Sequence, residues 1–153
     1  MRALQSNPGA RLKKILRLRT DGASRGNPGL AAIGVVIEDD QGIRLRTFHR
    51  FIGKATNNEA EYHALIDGLK AVAEWKPDRL EVYLDSKLVV EQVKGKYKVK
   101  KPHLEPLHRQ ATELLKQFGE GSIDYVERES NRGADKLANM ALDAQVKKTP
   151  PRG

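Results

Sequence analysis

The chain has 153 residues, 39% hydrophobic and 31% charged, enough for one well-packed core and too little for two. It contains no cysteine, which excludes disulfides, thiolate metal sites and cysteine nucleophiles. No apolar run approaches the roughly 20 residues that span a bilayer, and the first residues lack the apolar centre of a signal peptide. A cytoplasmic monomer without a membrane partner is the expectation. The formal charge of +8 favours a polyanionic partner, nucleic acid before a membrane surface.

That charge is unevenly placed. Residues 1–19 carry six Lys/Arg and no acid, residues 92–101 carry five and none, and residues 145–153 carry three and none. These segments sum to +14, so the rest of the chain holds 14 basic and 20 acidic residues, a net of −6. An acidic body dressed with basic segments is not the pattern of a simple basic binding module.

In chain order, residues 1–11 contain Asn7-Pro8-Gly9 and no apolar period, and read as a flexible basic extension. Residues 12–21 alternate, with Leu16, Leu18 and Thr20 opposite Arg17 and Arg19, as a strand does. Residues 22–29 read as a Gly/Asn/Pro turn, 31–38 as an apolar second strand, 39–42 as a turn and 43–51 as a third strand. A helical period then runs over 57–75, where Lys76-Pro77-Asp78 stops it. A fourth strand is expected over 80–85, a short helix over 86–93, a basic stretch over 95–101 and a helix over 104–118. A fifth strand over 123–127 and a last helix over 132–146 precede a basic tail, 147–153. The order βββαβααβα predicts an α/β domain over residues 12–146, one five-stranded mixed sheet flanked by helices.

Acidic residues fall where strand ends and helix starts converge on shared clefts. Asp21 ends the first strand, Asp85 ends the fourth, Glu61 opens the long helix and Asp135 opens the last one. Each has an ordinary reading alone, as a turn former, a cap or a dipole-favoured helix start. Together they are different: if the first and fourth strands are neighbours, clustered carboxylates repel one another unless cations neutralise them. Oxygen ligands suit hard divalent ions, and a carboxylate-held metal pair in a basic protein points to phosphodiester chemistry.

Helical phase separates Glu61 from its neighbour Glu59. With Tyr62 at zero, Leu65, Leu69 and Val72 fall at about 300°, 340° and 280°, and Glu61 at about 260° joins that apolar arc. Glu59 falls at about 60°, among polar residues, and reads as an exposed first-turn acid. Elsewhere, His49, His63, His103 and His108 show no metal-ligand spacing, Trp75 reads as core, and no Ser has a His/Asp arrangement behind it.

Four segments carry a resemblance. The run Thr20-Asp21-Gly22-Ala23-Ser24-Arg25-Gly26-Asn27-Pro28-Gly29, then Thr56-Asn57-Asn58-Glu59-Ala60-Glu61, then Leu84-Asp85-Ser86, and finally Asn131-Arg132-Gly133-Ala134-Asp135-Lys136 resemble the motifs of type 1 ribonuclease H, in that family's order. The resemblance spans residues 15–143 and implies the ribonuclease H-like fold. It also implies endonucleolytic hydrolysis of the RNA strand of RNA–DNA hybrids, leaving a 5′-phosphate, with two Mg²⁺ or Mn²⁺ ions per site. By motif position it makes Asp21, Glu61, Asp85 and Asp135 both metal ligands and catalytic residues, with Gly22, Asn27, Thr56, Asn57, Asn58 and Ser86 as substrate contacts. Double-stranded RNA is the alternative substrate, and a catalytically idle hybrid- or RNA-binding module the alternative class; four intact acids argue against the idle form.

Three features depart from the pattern. The connection 127–131 is short and has no His, as in the archaeal-type and reverse transcriptase-like branch, which leaves Arg128 and Glu129 as candidates for that role. Lys87 follows Ser86 where some members have Gln. The basic handle of some bacterial members shrinks to residues 95–101, where Lys96 and Lys98, with Lys94 just before, read either as a phosphate-binding arm or as a solvated turn.

Overall fold

In a computed structural model, residues 13–148 are described. The expected extension 1–11 and the part of the expected tail beyond 148 lie outside the described residues. The elements are β1 (Ile15–Gly26), β2 (Gly29–Asp39), β3 (Arg44–Ala55), α1 (Asn57–Ala73), β4 (Arg79–Leu84), α2 (Lys87–Val93), α3 (Glu105–Lys116), β5 (Glu120–Tyr125) and α4 (Arg132–Lys148). Single 3₁₀ turns, Pro102–Leu104 and Arg128–Asn131, lead into α3 and α4. Among the described residues no helix is long and apolar enough to cross a membrane.

The strands form one sheet in the order β3-β2-β1-β4-β5, with β1–β2 and β2–β3 antiparallel and β1–β4 and β4–β5 parallel. This is the expected mixed sheet, with β1 beside β4. The hairpin differs from expectation. Residues 22–26, read as turn, continue β1 and pair with β2 down to Gly26 opposite Gly29, so that only Asn27 and Pro28 turn. Cross-strand hydrogen bonding overrides the weak strand propensity of this glycine-rich run. Strand β3 likewise runs four residues past its expected end, through Gly53 at φ +80°, and α4 includes Lys147 and Lys148.

The sheet is packed on both faces. Leu16, Leu18, Ile33, Val35, Ile37, Leu80, Val82 and Leu84 meet the buried side of α1, with Val89, Leu104 and Ala111 from the following segments. On the other face, Ala32 packs under Ala141 and Leu142 of α4. Strand β2 lies between the two layers, which is why residues 31–38 are buried without alternation.

Two glycines let helices come down onto the sheet. A Cβ on Gly22 would overlap the Ala60 carbonyl group of α1, and one on Gly34, paired with Asp21 across β1–β2, would overlap the Ala134 carbonyl of α4. These approaches bring the starts of α1 and α4 onto β1 at Asp21 and Gly22, just past where its pairing with β4 stops. Gly34→Ala is therefore expected to lower stability by roughly 1–3 kcal/mol through overpacking and to push Asp135 outward; a urea unfolding midpoint measures the first effect.

Candidate active site

Strands β1 and β4 pair in parallel up to Arg19 opposite Tyr83, which sets Asp21 and Asp85, two residues further on, just past the end of that ladder. Asp21 lies inside β1, opposite Gly34 of β2, and not at the strand end expected, because β1 runs on to Gly26. Glu61 enters from the first turns of α1, its Oε1 accepting the Gly22 N–H at 3.0 Å. One carboxylate oxygen from each of Asp21, Glu61 and Asp85 lies within 4.8 Å of the others. Asp21 is only 5% exposed, while Glu61 and Asp85 are half-buried. Asp135, in the first turn of α4, stands outside this compact trio yet within hydrogen-bonding reach of Asp21. All four border a cleft of about 600 Å³, with Gly22, Ser24, Arg25, Asn57, Ser86 and Arg128 also on its wall.

Burial pushes the Asp21 carboxyl well above the carboxylate range, and the charges of Glu61 and Asp85 push it further. Glu61 is raised for the same first reason, against the opposing Gly22 hydrogen bond. Asp85 is also raised by burial, with Arg128 pulling the other way. A set of oxygen donors this close, half withdrawn from water and mutually repulsive, fits a hard divalent cation.

The repulsion has a stability consequence. Asp21 and Glu61 bind protons more tightly folded than unfolded, so the metal-free fold loses stability as pH rises from the ordinary carboxylate range through neutrality. A cation bound only by the folded state adds about 2.7 kcal/mol at a hundred times its Kd. Calorimetric melts at about pH 5 and about pH 8 are expected to show a larger rise in Tm on Mn²⁺ addition at the higher pH, where fewer protons compete for the site.

The other sequence-predicted residues divide between the cleft and its supports. Asn57 lines the cleft, and its backbone N–H donates to Asn27 Oδ1 at 3.0 Å, tying the β1–β2 turn to the start of α1. Thr56 caps α1: its Oγ1 accepts from Glu59 N, while Glu59 Oε1 accepts from Thr56 N, a complete capping box. Glu59 is thus half-buried and pulled below its ordinary pKa by that backbone bond, not an exposed acid held only by the helix dipole. Ser86 caps α2, accepting from Val89 N at 3.3 Å.

Asn58 borders a second cleft, of about 490 Å³, with Lys96, Lys98, Lys100, Lys101 and Tyr97. Lys94 does not border this cleft and forms an ion pair with Asp124 at 3.1 Å. Of the two candidates in the short connection, Arg128 reaches the cleft and Glu129 does not border it.

Several supporting residues had no local signal. Buried Gln92 accepts from Tyr62 Oη at 2.7 Å and donates to the Lys98 carbonyl at 3.4 Å, fastening the basic loop to α1. Arg19 binds Glu38 Oε1 at 3.0 Å and donates to the Ser130 carbonyl, anchoring the turn that precedes α4. Asn131 donates to the Thr20 carbonyl at 2.9 Å, joining that turn to β1 beside Asp21. The tip of β1 is joined to α4 by Arg25, bonded to Asp143 at 2.7 Å.

Comparison with known proteins shows the family. A family model described as reverse transcriptase-like matches residues 19–141. The chain is 46% identical to ribonuclease HI of Halobacterium salinarum over 80% of its own length and 62% of that protein. It is 45% identical to a bifunctional protein of Mycobacterium tuberculosis over 83% of its own length, and spans only about a third (35%) of that relative. Among solved structures, RNase H1 of Halobacterium salinarum superposes with a TM-score of 0.82 at 44% identity, covering 85% of this chain and 98% of that one. LC11-RNase H1, determined in complex with an RNA/DNA hybrid, superposes with a TM-score of 0.81 at 38% identity, covering 86% and 99%. A match over four-fifths of the length, on the same sheet and with four acids around one cleft, makes this chain a member of the type 1 ribonuclease H family, in its reverse transcriptase-like branch.

Proposed function

We propose that this protein is a divalent-metal-dependent endoribonuclease that hydrolyses the RNA strand of RNA–DNA hybrids. The observation that carries the reading is the meeting of Asp21, Glu61 and Asp85 within 4.8 Å at the mouth of an open cleft, with Asp135 beside them. A hybrid-bound structure of a relative 38% identical supports the substrate class.

Asp21, Glu61, Asp85 and Asp135 would hold the cations, Mg²⁺ or Mn²⁺ and two per site, whose chemistry when bound is to activate water and stabilise the leaving oxygen. The chain itself does the rest. Gly22 fixes Glu61 through its backbone N–H and, lacking a Cβ, keeps α1 seated on β1. Asn57 and Ser86 present short polar groups on the cleft wall, able to approach sugar and phosphate closely. Contacts of this kind to the 2′-hydroxyl would distinguish the RNA strand from DNA. Arg128, 78% exposed, places a guanidinium at the cleft where phosphate charge must be met.

Cleavage assays on hybrid, RNA duplex and DNA duplex, with Mg²⁺, with Mn²⁺ and with chelator, test this directly. Hybrid cleavage that chelator stops, with DNA duplex untouched, is expected; a cut RNA duplex would widen the substrate class, and no cleavage with either ion would refute the reading.

The basic loop is part of the same proposal as a phosphate-binding arm. Because Lys94 is paired with Asp124, the arm consists of Lys96, Lys98, Lys100 and Lys101, placed beside Asn58 and Tyr97. Replacing these four with Gln is expected to flatten the salt dependence of hybrid binding by roughly 0.9 in slope for each phosphate that a lysine no longer neutralises. Lys94→Gln, measured in the same titrations, is expected to change it far less, and an unaltered slope in the fourfold variant would make the loop a solvated turn.

A further inference from the structure

Asp135 differs from the other acids in how it is held. It lies outside the compact trio, and its charged neighbour Arg128 is 3.8 Å away and mostly exposed, which makes a loose tether. The firmer contact is Asn139, one turn further along α4 and therefore on the same face. Asn139 Nδ2 donates to the Asp135 carbonyl at 3.0 Å and to its carboxylate Oδ1 at 3.3 Å.

The far side of that amide is also occupied. Asn139 Oδ1 accepts from Arg25 Nη2 at 3.3 Å, and the same Nη2 donates to Asp143 Oδ1 at 2.7 Å. Guanidinium groups only donate and carboxylates only accept, so an amide between Arg25 and Asp135 has a single orientation that satisfies both. Arg25 holds the amide oxygen, and the NH₂ group must then face Asp135. Asp143, a further turn along α4, keeps Arg25 laid across the helix from the tip of β1.

We infer that Asn139, braced by Arg25 and Asp143, is a positioning residue that fixes the Asp135 carboxylate next to Asp21 for cation binding. The inference rests on the proposed role of Asp135 as a metal ligand. A rung that only stabilised the helix would leave cation affinity alone, whereas partners that orient a metal ligand are worth about 10- to 100-fold in affinity.

The test is calorimetric titration of the free protein with Mn²⁺, using wild type, Asp135→Asn, Asn139→Leu, Arg25→Ala and the Arg25→Ala/Asn139→Leu double variant, each first shown to melt cooperatively without metal. Asn139→Ala replaces Asn139→Leu should the latter not fold. Asn139→Leu is expected to weaken Mn²⁺ binding by about tenfold. Arg25→Ala should weaken it less, and should add nothing in the Asn139→Leu background because it acts through that amide. Affinity kept within about twofold in the Asn139 variants, while Asp135→Asn weakens it, would overturn the positioning role alone. Unchanged affinity in Asp135→Asn would remove the ligand reading, and the positioning role with it.

Discussion

Glu61→Gln is expected to reduce hybrid cleavage by roughly 10³-fold, about 4 kcal/mol in barrier, whereas Glu59→Gln should cost less than about tenfold. The two side chains are two residues apart, and α1 sends them to different tasks. Glu61 lies against Gly22 in the carboxylate trio, where a neutral amide supplies neither the charge nor the donor set a divalent ion needs. Glu59 closes the capping box with Thr56, and Gln at that position can still accept the Thr56 N–H through its amide oxygen. A second readout separates loss of a ligand from loss of fold. Because burial makes ionisation of Glu61 costly, Glu61→Gln should raise the metal-free Tm at about pH 8, where wild-type Glu61 begins to ionise, while shrinking the rise produced by Mn²⁺. Greater damage from Glu59→Gln than from Glu61→Gln, both at saturating Mg²⁺, would show the assignment to be wrong.

Asp85→Asn is expected to abolish cleavage, again by roughly 10³-fold or more, while hybrid affinity stays within a few-fold. The substitution keeps the shape of the side chain and leaves intact the surfaces proposed to meet the substrate: Asn57 on the cleft wall, Asn58 with the lysines of the second cleft, and the Ser86 cap of α2. It removes one of three charges that make the site costly without a cation and useful with one. Fluorescence anisotropy with labelled hybrid measures binding without turnover. Divalent-dependent cleavage at the wild-type rate in this variant would mean that the chemistry is not centred on the trio.

Both predictions depend on residues whose placement was largely legible before any fold was known. The alternation of residues 80–85 put Asp85 at a strand end, that of residues 12–21 put Asp21 on the first strand though not at its end, and helical phase put Glu61 on the buried side of its helix and Glu59 elsewhere. The order of elements follows from the same local periods, and so does the mixed sheet, because three hairpin-linked strands followed by βα units leave few ways to bury their apolar faces. The four motifs then restricted the chemistry.

Tertiary structure decided what local pattern could not carry. Residues 22–26 looked like turn because Gly and Asn have low strand propensity, yet their partners on β2 supply a ladder that outweighs it. Gly34 was an ordinary glycine in sequence and Gly22 a motif residue expected to contact substrate; their packing role exists only because α1 and α4 approach closer than a Cβ permits. The ion pair of Lys94, one lysine of a basic run, with Asp124 of β5 is likewise a contact between distant segments. Arg25 and Asn139, 114 positions apart, form a contact that no periodicity announces. Period and propensity are properties of neighbouring residues along the chain, so sequence alone determined the elements and the acids they carry. Hydrogen bonds, ion pairs and close approaches between distant segments depend on how those elements pack, and the packing decided which side chains hold the acids in place.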